Sequence, residues 1–145
     1  MAKVLYTADA HVTGGRAAGH GRTSDGNLEV DLRLPREMGG NGDGTNPEEL
    51  FAVGFAACFE GALQVVARRE RVDVGDAAID SHVHLLPTEE RGFKLAVDMD
   101  VSLPQVEDSD QAIRMVQAAH QVCPYSNATR GNIDVNFTVN GREMS

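Results

Sequence analysis

The chain has 145 residues, and 41% of them are hydrophobic, which is enough for a folded core and too many for a disordered chain. It carries 13 Lys and Arg against 22 Asp and Glu, a formal net charge of −9. Binding to nucleic acid or to an anionic membrane surface requires clustered positive charge, so this composition argues against both partners. We expect no signal peptide and no apolar run that spans a bilayer, and hence one cytoplasmic domain over 1–145.

The first third of the chain predicts two strands and two loops. Residues 3–12 form a plausible strand. Residues 28–34 alternate leucine or valine with charged side chains, which is the period-two pattern of a half-buried strand. The glycine-rich stretches at 14–21 and 39–44 predict loops.

Several helix-start signals coincide just before a long apolar run. Asn46 can act as the N-cap, Pro47 fits the first helical position, and the glutamates that follow suit the positive end of a helix. Thr45 with Glu48 also matches a capping box. These signals predict a helix that begins at this point.

The predicted helix is apolar on nearly every side from Leu50 to Val66, with Glu60 and Gln64 as the exceptions. A helix of this kind is buried in a large core or between subunits. A chain of this length can hardly enclose it alone, so the pattern predicts an obligate dimer.

The second half of the chain predicts three further strands and one helix. Residues 79–85 and 93–103 alternate as strands, with a loop at 87–92 between them. A helix follows from about residue 108 and ends before Pro124, and 133–139 forms the last strand. The order of elements predicts an α+β fold in which sheets pack on central helices.

The two cysteines, Cys58 and Cys123, are the first candidates for chemistry. Disulfides in a reducing compartment are usually transient and catalytic, although a free cysteine more often only packs. Cys58 lies among apolar residues, where burial would raise its pKa unless a cation came near. Arg16, in the first glycine loop, could be that cation or a solvated loop residue. Glu48 could orient a guanidinium by a bidentate contact or only cap its helix.

Two histidines on one predicted strand, His82 and His84, could be metal ligands or exposed strand residues. No third ligand is evident nearby, and neither cysteine has a CxxC partner. We therefore favour exposed histidines and expect no metal site.

Two longer motifs resemble a known family. Residues 45–51 (TNPEELF), running into 56–59 (AACF), look like the first signature of the organic hydroperoxide resistance proteins of the Ohr/OsmC family. Residues 120–132 (HQVCPYSNATRGN) look like the second. The resemblance covers essentially the whole chain. It implies an OsmC-like α+β fold: an intertwined homodimer with antiparallel sheets wrapped around central buried helices.

The resemblance also implies a thiol peroxidase that uses neither metal nor haem, and no other cofactor. In it, Cys58 matches the peroxidatic cysteine and Cys123 the resolving cysteine. Arg16 matches the arginine that pairs with the reactive thiolate, and Glu48 the carboxylate that holds this arginine. Family members reduce organic and fatty-acid hydroperoxides, and a lipoylated protein or small dithiol returns them to the reduced state.

An apolar lining would favour greasy peroxides over hydrogen peroxide, and we expect Phe51, Phe55 and Phe59 to contribute to it. Glu60 lies two residues beyond Cys58, so it should project to another side of the helix.

Three alternatives stay open. The protein could be a general dithiol–disulfide oxidoreductase, although it lacks a CxxC pair. It could be a redox-sensing or ligand-binding dimer that uses the same cysteines without turnover. It could also be a structural dimer whose cysteines only pack.

Overall fold

The structure is a computed structural model that describes residues 2–144. Its contacts divide the chain into two units, one up to Leu50 and one from Phe51 onwards, and each is described by itself. The structure combines helices with sheets that are antiparallel apart from one strand pair, so the predicted α+β class is confirmed. That the chain forms a single domain stays a prediction.

The first unit contains a three-stranded antiparallel sheet in the order β1-β2-β3. The strand predicted over 3–12 is wrong in its first part, because β1 begins only at Ala10. Residues before it pair with no strand in the described part of the chain, and an extended segment without a neighbour forms no ladder. The strands of this sheet are β1 (Ala10–Thr13), β2 (Gly19–Thr23) and β3 (Glu29–Leu32).

Glycine is required in the loop between β1 and β2. Gly14 and Gly15 have φ angles of 81° and 69°, in the left-handed region that side chains disfavour. A Cβ at Gly19 would overlap the carbonyl oxygen of Gly15. These glycines give the tight loop that carries Arg16.

The helix α1 (Pro47–Glu70) begins where the sequence predicts it. The side-chain oxygen of Asn46 accepts a hydrogen bond of 2.8 Å from the backbone N–H of Glu49. The Thr45 hydroxyl donates to the carboxylate of Glu49 at 2.7 Å. The predicted capping box between Thr45 and Glu48 is therefore wrong by one residue, because Asn46 rather than Thr45 is the cap. This register leaves the Glu48 carboxylate available for another partner.

By length and composition α1 could cross a membrane, so the expectation that no such run exists is wrong in those terms. One face of the helix, however, packs into the core of the second unit. The packing is that of a core helix, which passes the same compositional test. The buried residues of α1 are Phe55, Phe59, Ala62, Leu63, Val66 and Ala67.

The second unit contains a four-stranded sheet in the order β4-β5-β6-β7. The predicted strands and second helix are present, and an additional short helix follows that helix. Strand β5 pairs in parallel with β6, because the two helices between them form a crossover connection. The elements are β4 (Ala78–Pro87), β5 (Phe93–Ser102), α2 (Ser109–Val122), α3 (Pro124–Thr129), β6 (Val135–Val139) and β7 (Arg142–Glu143).

The core of the second unit lies between α1, α2 and the inner face of the sheet. Asp108 caps the start of α2, and its carboxylate accepts from two backbone N–H groups. Its buried face ends at Cys123, the residue that follows the helix. The other fully buried side chains at the centre include Leu63, Val97, Met99, Met115 and Val116.

The cap of α1 gives a test of the helix start. Asn46 is buried, and replacing it with alanine leaves a backbone N–H of the first turn without its partner. We expect Asn46→Ala to lower the free energy of unfolding by about 1 kcal/mol, measured by urea denaturation. Asn46→Asp retains the acceptor and should stay close to the wild type. Equal stability of all three proteins would contradict the assigned cap.

Candidate active site

The two cysteines meet inside the second unit although 65 positions separate them in the sequence. The Cys123 thiol donates to the sulfur of Cys58, with 3.5 Å between the Sγ atoms. Cys123 is completely buried, whereas Cys58 is half-buried, and both are free thiols. Since a disulfide bond has a length of about 2.05 Å, only a small approach of the two sulfurs would be needed when an oxidant removes their two protons and two electrons.

A proline positions Cys123 at the corner between α2 and α3. Pro124 has no backbone N–H to continue α2, and its restricted φ angle suits the first position of α3. Cys123 therefore adopts an extended conformation, with φ −65° and ψ 122°. Its backbone N–H still bonds to Ala119 of α2, and its carbonyl accepts from Asn127 of α3.

The surroundings of Cys58 in the second unit favour its neutral thiol. Burial is the largest cause that raises its pKa, and the backbone N–H of Tyr125, close to the sulfur, lowers it. The contact with Cys123 raises the pKa again, because two adjacent sulfurs do not readily both carry a negative charge. The net effect of burial, Tyr125 and Cys123 is a raised pKa for Cys58, so little of this thiol is ionised at neutral pH.

Three aromatic rings pack together on the N-terminal side of Cys58, two from α1 and one from α3. Phe51 packs edge-on against Phe55 at 5.7 Å between ring centroids. The ring of Tyr125 lies 5.8 Å from Phe51 and 5.7 Å from Phe55, against the helix at Gly54. We call Phe51, Phe55 and Tyr125 the aromatic cluster. Because Phe51 and Phe55 lie on the same side of α1 as Cys58, this cluster gives the cysteine an apolar neighbourhood.

The third predicted lining residue, Phe59, has different surroundings. Like Phe55 it is fully buried, and its ring lies 4.9 Å from that of Phe137 in the core. Glu60 is not among the groups that shift the pKa of Cys58, and it borders a surface cleft with Gln64 and Arg68. Contact of Phe51, Phe55 or Phe59 with substrate stays a prediction.

The structure brings Arg16 and Glu48 together within the first unit. The guanidinium donates two hydrogen bonds to the carboxylate, of 2.8 Å from Nη1 and 3.2 Å from Nη2. This is the bidentate geometry that the sequence suggested, and the hydrogen bond to Glu48 raises the pKa of Arg16. The loop glycines and the cap at Asn46 thus place a fixed, permanently charged guanidinium.

The two strand histidines each pair with an aspartate on the outer face of the sheet. His84 lies 2.9 Å from Asp98, His82 lies 3.4 Å from Asp100, and all four side chains are about half exposed. Among residues 2–144, no three His, Cys, Asp or Glu side chains are grouped as metal ligands would be.

Sequence reasoning assigned no role to Tyr125 or Gly54. Tyr125 stands two residues after Cys123, so its backbone N–H belongs to the first turn of α3. That position was a usable signal, because such N–H groups lack partners within their helix. Gly54 carried a weaker signal. Glycine is less favourable than alanine inside a helix, so its presence there suggests that another group packs closely against the backbone.

The fold agrees with comparisons to known proteins. The family model described as OsmC-like protein matches residues 40–138, more than half of the chain. The chain therefore belongs to the OsmC-like family, and its OsmC-like fold is confirmed.

Individual relatives place the chain within one branch of that family. An organic hydroperoxide resistance protein of Xanthomonas axonopodis pv. citri is 50% identical over 141 residues, covering 94% of this chain and 96% of the relative. The protein OhrB of Bacillus subtilis is 45% identical over 132 residues, covering 90% and 95%. The crystal structure of an organic hydroperoxide resistance protein of Legionella pneumophila superposes with a TM-score of 0.90 at 48% identity, covering 94% and 98%. Within the OsmC-like family, this chain is one of the organic hydroperoxide resistance, or Ohr, proteins.

Proposed function

We propose that this protein is a thiol-dependent peroxidase that reduces organic hydroperoxides, fatty-acid hydroperoxides included, to alcohols and so acts against oxidative stress. The observation that carries the proposal is the 3.5 Å contact between a half-buried Cys58 and a fully buried Cys123 beside an apolar cluster. The names of its relatives, organic hydroperoxide resistance proteins, support the substrate class.

The proposed cycle has three steps. The Cys58 thiolate attacks the outer peroxide oxygen, the O–O bond breaks, and the departing alkoxide takes a proton to become the alcohol, leaving a sulfenic acid. Cys123 attacks that sulfur, water leaves, and the disulfide forms. An external dithiol then restores both thiols by exchange and becomes a disulfide itself. The sum converts one hydroperoxide and one dithiol into alcohol, water and the oxidised dithiol.

The difference in burial between the two cysteines suits these roles. Cys58 retains some exposure, so a peroxide can approach its sulfur. Cys123 is closed to solvent, and the atom in reach of its thiol is the sulfur of Cys58. The first oxidation is therefore assigned to Cys58 and the second step to Cys123.

Arg16 is the proposed cation that converts the Cys58 thiol into a thiolate. Burial raises the pKa of Cys58, so the reaction requires an opposing charge. Glu48, which holds the guanidinium, stands ten residues before Cys58 on α1. An unperturbed thiol is only about 3% ionised at neutral pH, so a nearby cation that lowers the pKa of Cys58 could raise the reactive fraction up to about thirtyfold.

Apolar side chains would select greasy hydroperoxides. Phe51 and Phe55 present rings on the stripe of α1 that leads to Cys58, and Phe59 would support this surface from the core. Each CH₂ group of an alkyl chain that leaves water contributes about 0.8 kcal/mol. A long-chain hydroperoxide would therefore bind more tightly than hydrogen peroxide.

Exposed apolar residues support the proposed intertwined homodimer. Val53 on α1 is 72% exposed although the helix is apolar around it, and Ala57 follows one turn later on the same side. Ahead of β1, Val4, Leu5 and Tyr6 are also exposed, with Leu5 at 96%. A second copy of the chain would cover both surfaces, as the family resemblance implies.

We further propose that the protein works in the cytoplasm and that a lipoylated protein or small dithiol reduces it. A redox-sensing or ligand-binding dimer is the alternative, since the same disulfide could signal without turnover. Continuous consumption of peroxide in the presence of a dithiol separates the two functions.

The cysteine roles predict distinct products after one equivalent of tert-butyl hydroperoxide is added to reduced protein. We expect the wild type to form a Cys58–Cys123 link, detected by peptide mass spectrometry, faster than with hydrogen peroxide. Dihydrolipoic acid should reverse it. Cys58→Ser should abolish turnover, because it removes the nucleophile. Cys123→Ser should stop after a single oxidation of Cys58. Two unmodified thiols in the wild type would refute the peroxidase.

The role of Arg16 predicts a change in pH dependence. In a Cys123→Ser background, we expect Arg16→Ala to raise the pKa of Cys58, since the opposing charge is lost. Its alkylation by iodoacetamide should slow about tenfold to thirtyfold at pH 7 and recover as the pH rises. Arg16→Lys retains the charge without the bidentate contact and should fall between. Coincident pH profiles for all three would exclude Arg16 as the activating cation.

If the protein is a dimer, sedimentation equilibrium should give a particle mass twice that of the chain. Val53→Asp places a charge on the proposed subunit contact, so we expect it to weaken the dimer by at least about tenfold. Val53→Thr has nearly the same shape without the charge and should remain dimeric. A wild-type protein that sediments as a monomer at micromolar concentration would rule the dimer out.

A further inference from the structure

Tyr125 contacts α1 at two places that the proposed reaction does not require. Its backbone N–H lies near enough to the sulfur of Cys58 to lower the pKa of that thiol. Its ring, 37% exposed, lies over the helix between Phe51 and Phe55. One residue thus binds α1 through both its main chain and its side chain.

The ring fits there because residue 54 has no side chain. A Cβ at Gly54 would lie 2.9 Å from the hydroxyl oxygen of Tyr125 and 3.4 Å from two carbons of its ring. The first distance is too short for a real contact, so any larger residue would displace the ring. Glycine inside a helix costs about 0.5–1 kcal/mol relative to alanine, and here it leaves a seat for an aromatic ring.

The position of this ring determines the position of Cys123. Only Pro124 separates the two residues, and its φ angle is fixed by the pyrrolidine ring. Cys123 is also the single residue between α2 and α3, so it cannot move far unless Tyr125 moves with it. The seat on Gly54 is therefore a second attachment for the segment that carries the buried thiol.

We propose that Tyr125 is a positioning residue that holds Cys123 within disulfide distance of Cys58, with Gly54 as the seat for its ring. Its purpose in the reaction rests on the proposed function, but the positioning itself is a property of the two thiols. A misplacement of about 1 Å can cost about a hundredfold in a step that depends on alignment.

The test measures disulfide formation without peroxide. Reduced protein is equilibrated with mixtures of oxidised and reduced dithiothreitol, then quenched by alkylation, and the Cys58–Cys123 fraction is measured by mass spectrometry. The protein dithiol is oxidised as dithiothreitol is reduced, so the equilibrium reports how well the thiols are placed. We expect Tyr125→Ala and Gly54→Ala to lower the equilibrium constant by about tenfold to a hundredfold. Tyr125→Phe retains the ring and should match the wild type.

A double variant separates seating from general damage. Gly54→Ala strikes the Tyr125 hydroxyl, and Tyr125→Phe removes that atom. We therefore expect Gly54→Ala with Tyr125→Phe to recover at least half of the loss, expressed as the logarithm of the equilibrium constant. If Gly54→Ala acted only by general destabilisation, the double variant would show the same low equilibrium constant as Gly54→Ala. Circular dichroism melts check that each variant is folded.

The outcomes are distinct. A wild-type equilibrium in Tyr125→Ala, or no recovery in the double variant, overturns the positioning role. Recovery in the double variant supports it even if Tyr125→Ala does not fold. The same proteins are then given tert-butyl hydroperoxide and dihydrolipoic acid. If the wild type consumes no peroxide while the exchange equilibria differ as expected, the proposed function fails and the positioning role stands.

Discussion

The contact between the sulfurs of Cys58 and Cys123 is the interaction on which the site depends. It joins the middle of α1 to the corner between α2 and α3, two parts of the chain that are distant in sequence. Neither thiol lies in a loop, since α1 carries one and Pro124 fixes the other between two helices. The core of the second unit therefore determines the alignment of the two reactive atoms, and site and stability share the same packing.

A second constraint, in the proposed cycle, is the negative charge that Cys58 must carry. The second unit offers burial and one backbone N–H, which act on its pKa in opposite directions, and burial dominates. The first unit holds Arg16 in a bidentate contact with Glu48. The Glu48 carboxylate partly neutralises the positive potential of the Arg16 guanidinium. In return, it fixes the conformation of this long side chain before any substrate binds. Such preorganisation suits a group whose task is to stabilise a developing negative charge.

Much of this could be predicted from the sequence, because the signals are local. The start of α1, the alternating strands and both cysteines follow from capping, periodicity and motif. The strand predicted before Ala10 was wrong. A strand needs a neighbouring strand to pair with, and an alternating pattern within one segment does not show whether such a neighbour exists. The capping box failed by a single residue, because Thr45 and Asn46 are both good caps. The seat of Tyr125 on Gly54 was not predicted, because a glycine inside a helix does not reveal which side chain packs against it.

The burial of Cys123 against Cys58 also bears on survival in excess oxidant. A sulfenic acid that meets a second peroxide becomes a sulfinic acid, which simple dithiols do not repair. In the proposed cycle, the competing thiol already touches the sulfur before it is oxidised, so the protective reaction needs no diffusion. Tolerance to a burst of peroxide would then be a matter of internal geometry and would not depend on how much reductant the cell holds at that moment.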